Sequence, residues 1–173
     1  MLTILKLLQS FIKTLHSDGT PTQIAAGIAL GAVLGLTPLM NVHNAVIFAL
    51  ILVLNVSFGG ALLGWAVFVP LGFMLDPAFD RIGHSLLMET PALTPMWTWA
   101  YNTPVVPYTN FNNTVVLGSF VSWLVLVLPV FLLARFGVVR YRATIGERVR
   151  QSRFYQMVTA SKLYNVYSWF RPN

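Results

Sequence analysis

The sequence predicts an all-α integral membrane protein: a short glycine-rich helical hairpin, re-entrant or made of two short spans, plus two longer transmembrane helices, flanked by amphipathic interfacial helices. Three observations predict this. Of 173 residues, 56% are hydrophobic and only 9% are charged, where an ordinary soluble domain carries roughly a quarter charged. A water-facing shell cannot be built from that supply. The apolar residues also come in long runs rather than in periodic stripes, so lipid is the solvent for much of the surface. Third, the net charge of +6 is unevenly placed. Residues 135–173 hold eight Lys or Arg against Glu147, whereas residues 76–113 hold Asp76, Asp80 and Glu89 against Arg81. The positive-inside rule then puts both termini in the cytoplasm and the acidic loop outside. Juxtamembrane arginines already have this topological role, so no nucleic-acid partner is expected. With no cysteine in the chain, disulfide scaffolds and thiolate chemistry are excluded.

Three regions follow: an interfacial helix at 1–17, a membrane domain at 18–135 with its outer loop at 76–113, and a basic cytoplasmic interfacial tail at 136–173. In MLTILKLLQSFIKTLH, residues 1–16, Ile4, Leu5, Leu8, Phe11, Ile12 and Leu15 share one helical face, opposite Lys6, Gln9 and Lys13. The two lysines interrupt any signal-peptide core, and no small-residue cleavage site follows, so the segment is expected in the mature chain. Ser17 to Thr20 form a turn, and Pro21 suits a first helical position, where an amide proton is dispensable.

A helix from about Thr22 to Leu36 reaches only about 22 Å, short of a hydrocarbon core of about 30 Å. The run Ala45 to Leu54 is no longer. Joined through residues 37–44, the two make either a re-entrant hairpin or two short spans in a thinned bilayer. Phe58 to Leu75 reads as a full span despite Pro70, and Asp76-Pro77 reads as the cap and first residue of a short surface helix. The following loop carries Trp97, Trp99 and Tyr101, rings suited to the outer membrane interface. Thr114 to Ala134 forms the last span. Thr144 and Glu147 have capping-box spacing and are expected to open a helix along the cytoplasmic headgroups.

Gly27, Gly31 and Gly35 repeat every four residues among alanines, and Gly60 and Gly64 form a shorter strip. Small residues at this spacing let helices approach until backbones touch, the main source of association where lipid supplies no hydrophobic force. The two strips are expected to pack on each other or to form a partner or homo-oligomer interface. Thr37, Asn41, His43 and Asn44 follow the helix break. With Gln23, Asn112 and Asn113 they are the candidate polar site, because polar groups within a membrane are costly unless paired or functional. They serve either as caps for backbone freed at Pro38 or as a polar path. Asp80 is placed to pair with His84, one helical turn on. No two histidines stand at i, i+4, so no metal is expected, and no cofactor either. No G-x-S-x-G, H-E-x-x-H, Walker A or G-x-G-x-x-G pattern occurs, so the chain is expected not to be an enzyme.

The run PTQIAAGIALGAVLGLTP, Pro21 to Pro38, resembles the signature of a family of small bacterial inner-membrane proteins known as domain of unknown function 2062. Leu54-Asn55, Gly64-Trp65 and Pro70 look like that family's second half-motif, and FNNTVVLG, Phe111 to Gly118, like a subgroup signature. Leu54 stands where the family has a basic residue. The resemblance covers roughly residues 18–135. It implies a bacterial inner-membrane location and a short helical-hairpin core, and no particular activity. The expected role is a non-enzymatic, multi-pass inner-membrane subunit that docks a membrane or periplasmic partner, in a setting such as envelope lipid transport. The alternatives are a small lipid or solute translocator with the hairpin as polar path, and a tethered module whose basic tail binds anionic lipid or a cytosolic protein.

Overall fold

The computed structural model describes residues 19–144. The amphipathic segment 1–17 and the tail beyond Thr144 lie outside the described residues. Among the described residues the regular structure is entirely helical: α1 Pro21–Leu36, α2 Val42–Val53, α3 Phe58–His84, α4 Thr94–Asn102 and α5 Thr114–Thr144. Two helices are long and apolar enough to cross a membrane: α3 with its continuation to Glu89, and α5. The other apolar helices, α1 and α2, are shorter.

Each start has a local cause. Thr20 accepts from the Gln23 amide at 3.2 Å while Gln23 Oε1 accepts from the Thr20 amide at 2.8 Å, a capping box ahead of Pro21. Ser57 Oγ caps α3 by accepting from the Gly60 amide at 3.0 Å. Asn113 caps α5 by accepting from the Val116 amide at 3.1 Å.

The core is a three-helix bundle of α1, α3 and α5, with α2 resting lightly at its side. Gly60 stands against the Ile24 backbone, Gly64 against Ile28 and Gly72 against Gly35, so α1 and α3 run parallel. The reverse face is equally close, with Gly27 and Gly31 on the Ser57 and Ala61 backbone and Gly35 on Trp65 and Val69. A Cβ added at any of these six glycines would press into backbone atoms, so the approach depends on the missing side chains. The α5 helix runs the other way. Its Gly118 meets Phe79, its Trp123 donates Nε1–H to the Ala29 carbonyl at 3.0 Å, and its Val138 packs on Ile24. Parallel helices need a returning connection, and α2 supplies it. Gln23 Nε2 donates to Asn55 Oδ1 at 2.9 Å, bringing the end of α2 back beside the start of α1.

Two expectations are corrected. Asp76-Pro77 does not open a separate helix: α3 continues through Pro70 and Pro77 to His84, then through a π-helical turn at Ser85–Glu89. Packing maintains it, because Phe79 is buried and Gly83 lies directly on the Thr114 backbone. The second is the Asp80–His84 pair. Asp80 instead accepts from the Thr114 hydroxyl, and His84 stands 3.9 Å from Glu89. At the other end, α5 runs past Ala134 to Thr144, the last described residue, so Thr144 continues a helix rather than opening one, and Glu147 lies outside the described residues.

Candidate functional site

The α1–α2 turn gathers three of the sequence-singled polar residues into one network. Thr37 Oγ1 lies 2.8 Å from both the Val33 carbonyl and Asn44 Oδ1, and its single proton is shared between them. Asn44 Nδ2 donates to the Pro38 carbonyl at 2.8 Å, and Asn41 Nδ2 donates to the same oxygen at 2.6 Å. Asn41 Oδ1 in turn accepts from Asn110 Nδ2 at 2.6 Å. Thr37, Asn41 and Asn44 are all buried, which makes this mutual satisfaction necessary: an unpaired buried amide costs about 1–3 kcal/mol. The network pairs these groups with one another and with the Val33 and Pro38 carbonyls.

His43 sits beside this network without joining it. Its ring tilts against Phe120 at 5.0 Å, and its buried Nε2 has no hydrogen-bond partner among the described residues. The remaining candidates lie elsewhere. Gln23 is at the opposite end of α1, bonded to Asn55. Asn113 is the cap of α5. Asn112 is exposed, on the rim of a shallow depression of about 310 Å³ shared with Trp97, Tyr101 and Phe111. Among the described residues no three His, Asp or Glu side chains converge.

Asn102, Asn110, Asn112 and Asn113 crowd the approach to α5 in the sequence, at a density that can close the loop onto the hairpin, and the one that reaches the α1–α2 turn is Asn110. It follows the short turn Val106–Thr109 and adopts a left-handed backbone with φ 56°, which asparagine tolerates. At the head of that turn, Val105 has φ 76°, costly for a β-branched residue. This strained turn directs Tyr108 and Asn110 back to the α1–α2 turn.

Helix α4 presents the aromatics. Trp97 is fixed, donating Nε1–H to the Leu86 carbonyl at 2.9 Å and stacking on Phe111 at 5.8 Å. Trp99 and Tyr101 are 66% and 64% exposed, on a helix that Trp97 holds in place. The glycines lie on the opposite account: their faces are spent on contacts within the molecule.

Beside the network, α2 splays from the α1–α3 pair and leaves an apolar cleft of about 750 Å³. Phe48 and Ile51 of α2 face Leu34, Ala61, Leu62 and Trp65 across it, with Asn41, Met40 and Tyr108 at one end.

Comparison with known proteins places this architecture. A protein of Treponema pallidum (strain Nichols), described as an uncharacterized protein, is 27% identical over 163 residues, covering 92% of this chain and 98% of the relative. No solved structure matches. The family model described as "Uncharacterized protein conserved in bacteria (DUF2062)" matches residues 6–145, most of the chain and all five helices. The chain therefore belongs to the bacterial DUF2062 family.

Proposed function

We propose that this chain is a non-enzymatic subunit of the bacterial inner membrane that docks a membrane or periplasmic partner through its outer loop, in a setting such as envelope lipid transport. The carrying observation is the disposition of its surfaces. Both glycine strips are occupied internally, whereas Trp99 and Tyr101 are exposed on a helix fixed by Trp97. Exposed aromatics on a rigid support are favoured anchors of protein interfaces. The partner face thus moves from the glycines, where the sequence alone allowed it, to α4.

In this reading α3 and α5 cross the bilayer and α1–α2 is a re-entrant hairpin entering from the cytoplasmic side. Its 16-residue first arm reaches roughly 24 Å, less than a full hydrocarbon core. The Gln23–Asn55 hydrogen bond supports the return of the hairpin to its own side. Two crossings and one hairpin leave both termini in the cytoplasm, in accord with the basic residues at the end of α5.

The second reading, a small lipid translocator, draws on the apolar cleft beside α2. It requires the Asn110–Asn41 contact to open. Reconstitution in vesicles with a fluorescent phospholipid separates the two: a subunit leaves lipid flip rates unchanged, whereas a translocator accelerates them. For the docking reading, the direct test is affinity purification of the tagged chain from its host with the Trp99→Ala/Tyr101→Ala variant alongside. A protein retained by the wild type and lost from the variant supports it.

A further inference from the structure

The cleft between α2 and the α1–α3 pair is walled by Phe48, Leu62 and Trp65, all partly exposed to it. We propose that this cleft is a binding site for an acyl chain of a membrane phospholipid.

Water does not suit it. Waters filling it would each seek two to four polar partners. The only side-chain amides on its walls, Asn41 and Asn44, are already committed to the Pro38 carbonyl, Thr37 and Asn110.

A flexible hydrocarbon chain is slimmer than a helix and needs no hydrogen-bond partner. The length of α2 is also comparable to the depth of one leaflet, about half of a 30 Å core. One end carries Tyr108, whose amphipathic ring suits the boundary between chain and headgroup. The bound chain would fill the space that α2 leaves open and so complete the packing of the hairpin's second arm.

The test uses the full chain in nanodiscs of phosphatidylethanolamine and phosphatidylglycerol, with a trace of phosphatidylethanolamine bearing a diazirine in its acyl chain. After illumination, labelled residues are mapped by mass spectrometry. Labelling concentrates on Met40, Phe48, Leu62 and Trp65 over the exposed outer face of α5, at Leu128 and Leu132. Ala45→Trp, which fills the cleft from α2, lowers the cleft labelling about tenfold, and Leu128→Trp leaves it unchanged. Leu62→Trp fills the same space from α3 and serves if Ala45→Trp does not fold. Equal labelling of cleft and α5, unchanged labelling in both filled variants, or cross-linking of cleft residues to protein in place of lipid would overturn the proposal. The outcome is separable from partner docking: neither filling variant touches Trp99 or Tyr101, so a copurifying protein stays bound in both.

Discussion

Asn110 donates its side-chain amide to Asn41 Oδ1 at 2.6 Å, across 69 positions of sequence. It is a direct polar bond between the loop that carries the aromatic helix and the turn that joins the two short helices. Through Asn41 and the Pro38 carbonyl it is continuous with Asn44 and Thr37. The position of the loop and the closure of the turn are consequently one property.

Removing that donor should loosen both. Asn110→Ala leaves a buried carbonyl oxygen on Asn41 without its partner, and is expected to cost about 1 kcal/mol. Asn110→Asp sets acceptor against acceptor and should cost more. Thermal unfolding in detergent ranks wild type above Ala above Asp; equal midpoints would show that the bond carries no stability.

The glycine contacts are a steric requirement. Gly31→Leu drives a side chain into the Ala61 backbone and should destabilise the bundle by at least about 2 kcal/mol. Gly137 on α5 has nothing within 4 Å of an added Cβ, so Gly137→Ala should be neutral or stabilising by up to about 1 kcal/mol. The same unfolding measurement checks both, and a tolerated Gly31→Leu would contradict the close α1–α3 approach.

Trp123 ties α5 to α1 through its bond to the Ala29 carbonyl. That carbonyl lies within a helix, so Trp123→Phe forfeits only the one bond, about 1 kcal/mol. Trp123→Ala also empties a buried volume and should cost about 3–5 kcal/mol. A chemical-denaturation series distinguishes the two magnitudes.

Because the chain has no cysteine, single introduced thiols report sidedness cleanly. Thr22→Cys and Asn55→Cys should both react with an impermeant maleimide from the cytoplasmic face, and Glu89→Cys from the periplasmic face. Labelling of Asn55→Cys from the periplasm would replace the re-entrant hairpin with a spanning helix.

Much of this architecture is legible locally. Pro21, after the turn expected at Ser17 to Thr20, announces the start of α1, and the structure adds a Thr20–Gln23 capping box there, whereas from the sequence alone Gln23 is a candidate for the polar site. The lengths of the apolar runs distinguish α3 and α5 from the shorter helices. What local signals hide is decided by distant contacts. Asp76-Pro77 has the chemistry of a helix start, yet α3 continues because Phe79 and Gly83 find Gly118 and Thr114 on α5. Asp80 bonds Thr114 rather than His84 for the same reason. Within the asparagine cluster, Asn112 and Asn113 are no less conspicuous than Asn110. The turn between Val105 and Asn110, with positive φ at both, is what brings the Asn110 amide to Asn41.

The measurement that bears most directly on the central claim is purification of the tagged chain from its native host in nanodiscs, with quantitative mass spectrometry of wild type and the Trp99→Ala/Tyr101→Ala variant. The account predicts a stoichiometric second protein with the wild type and its loss from a variant that unfolds at the same temperature. A chain that carries only lipid, or a partner that stays bound to the variant, would contradict docking through α4.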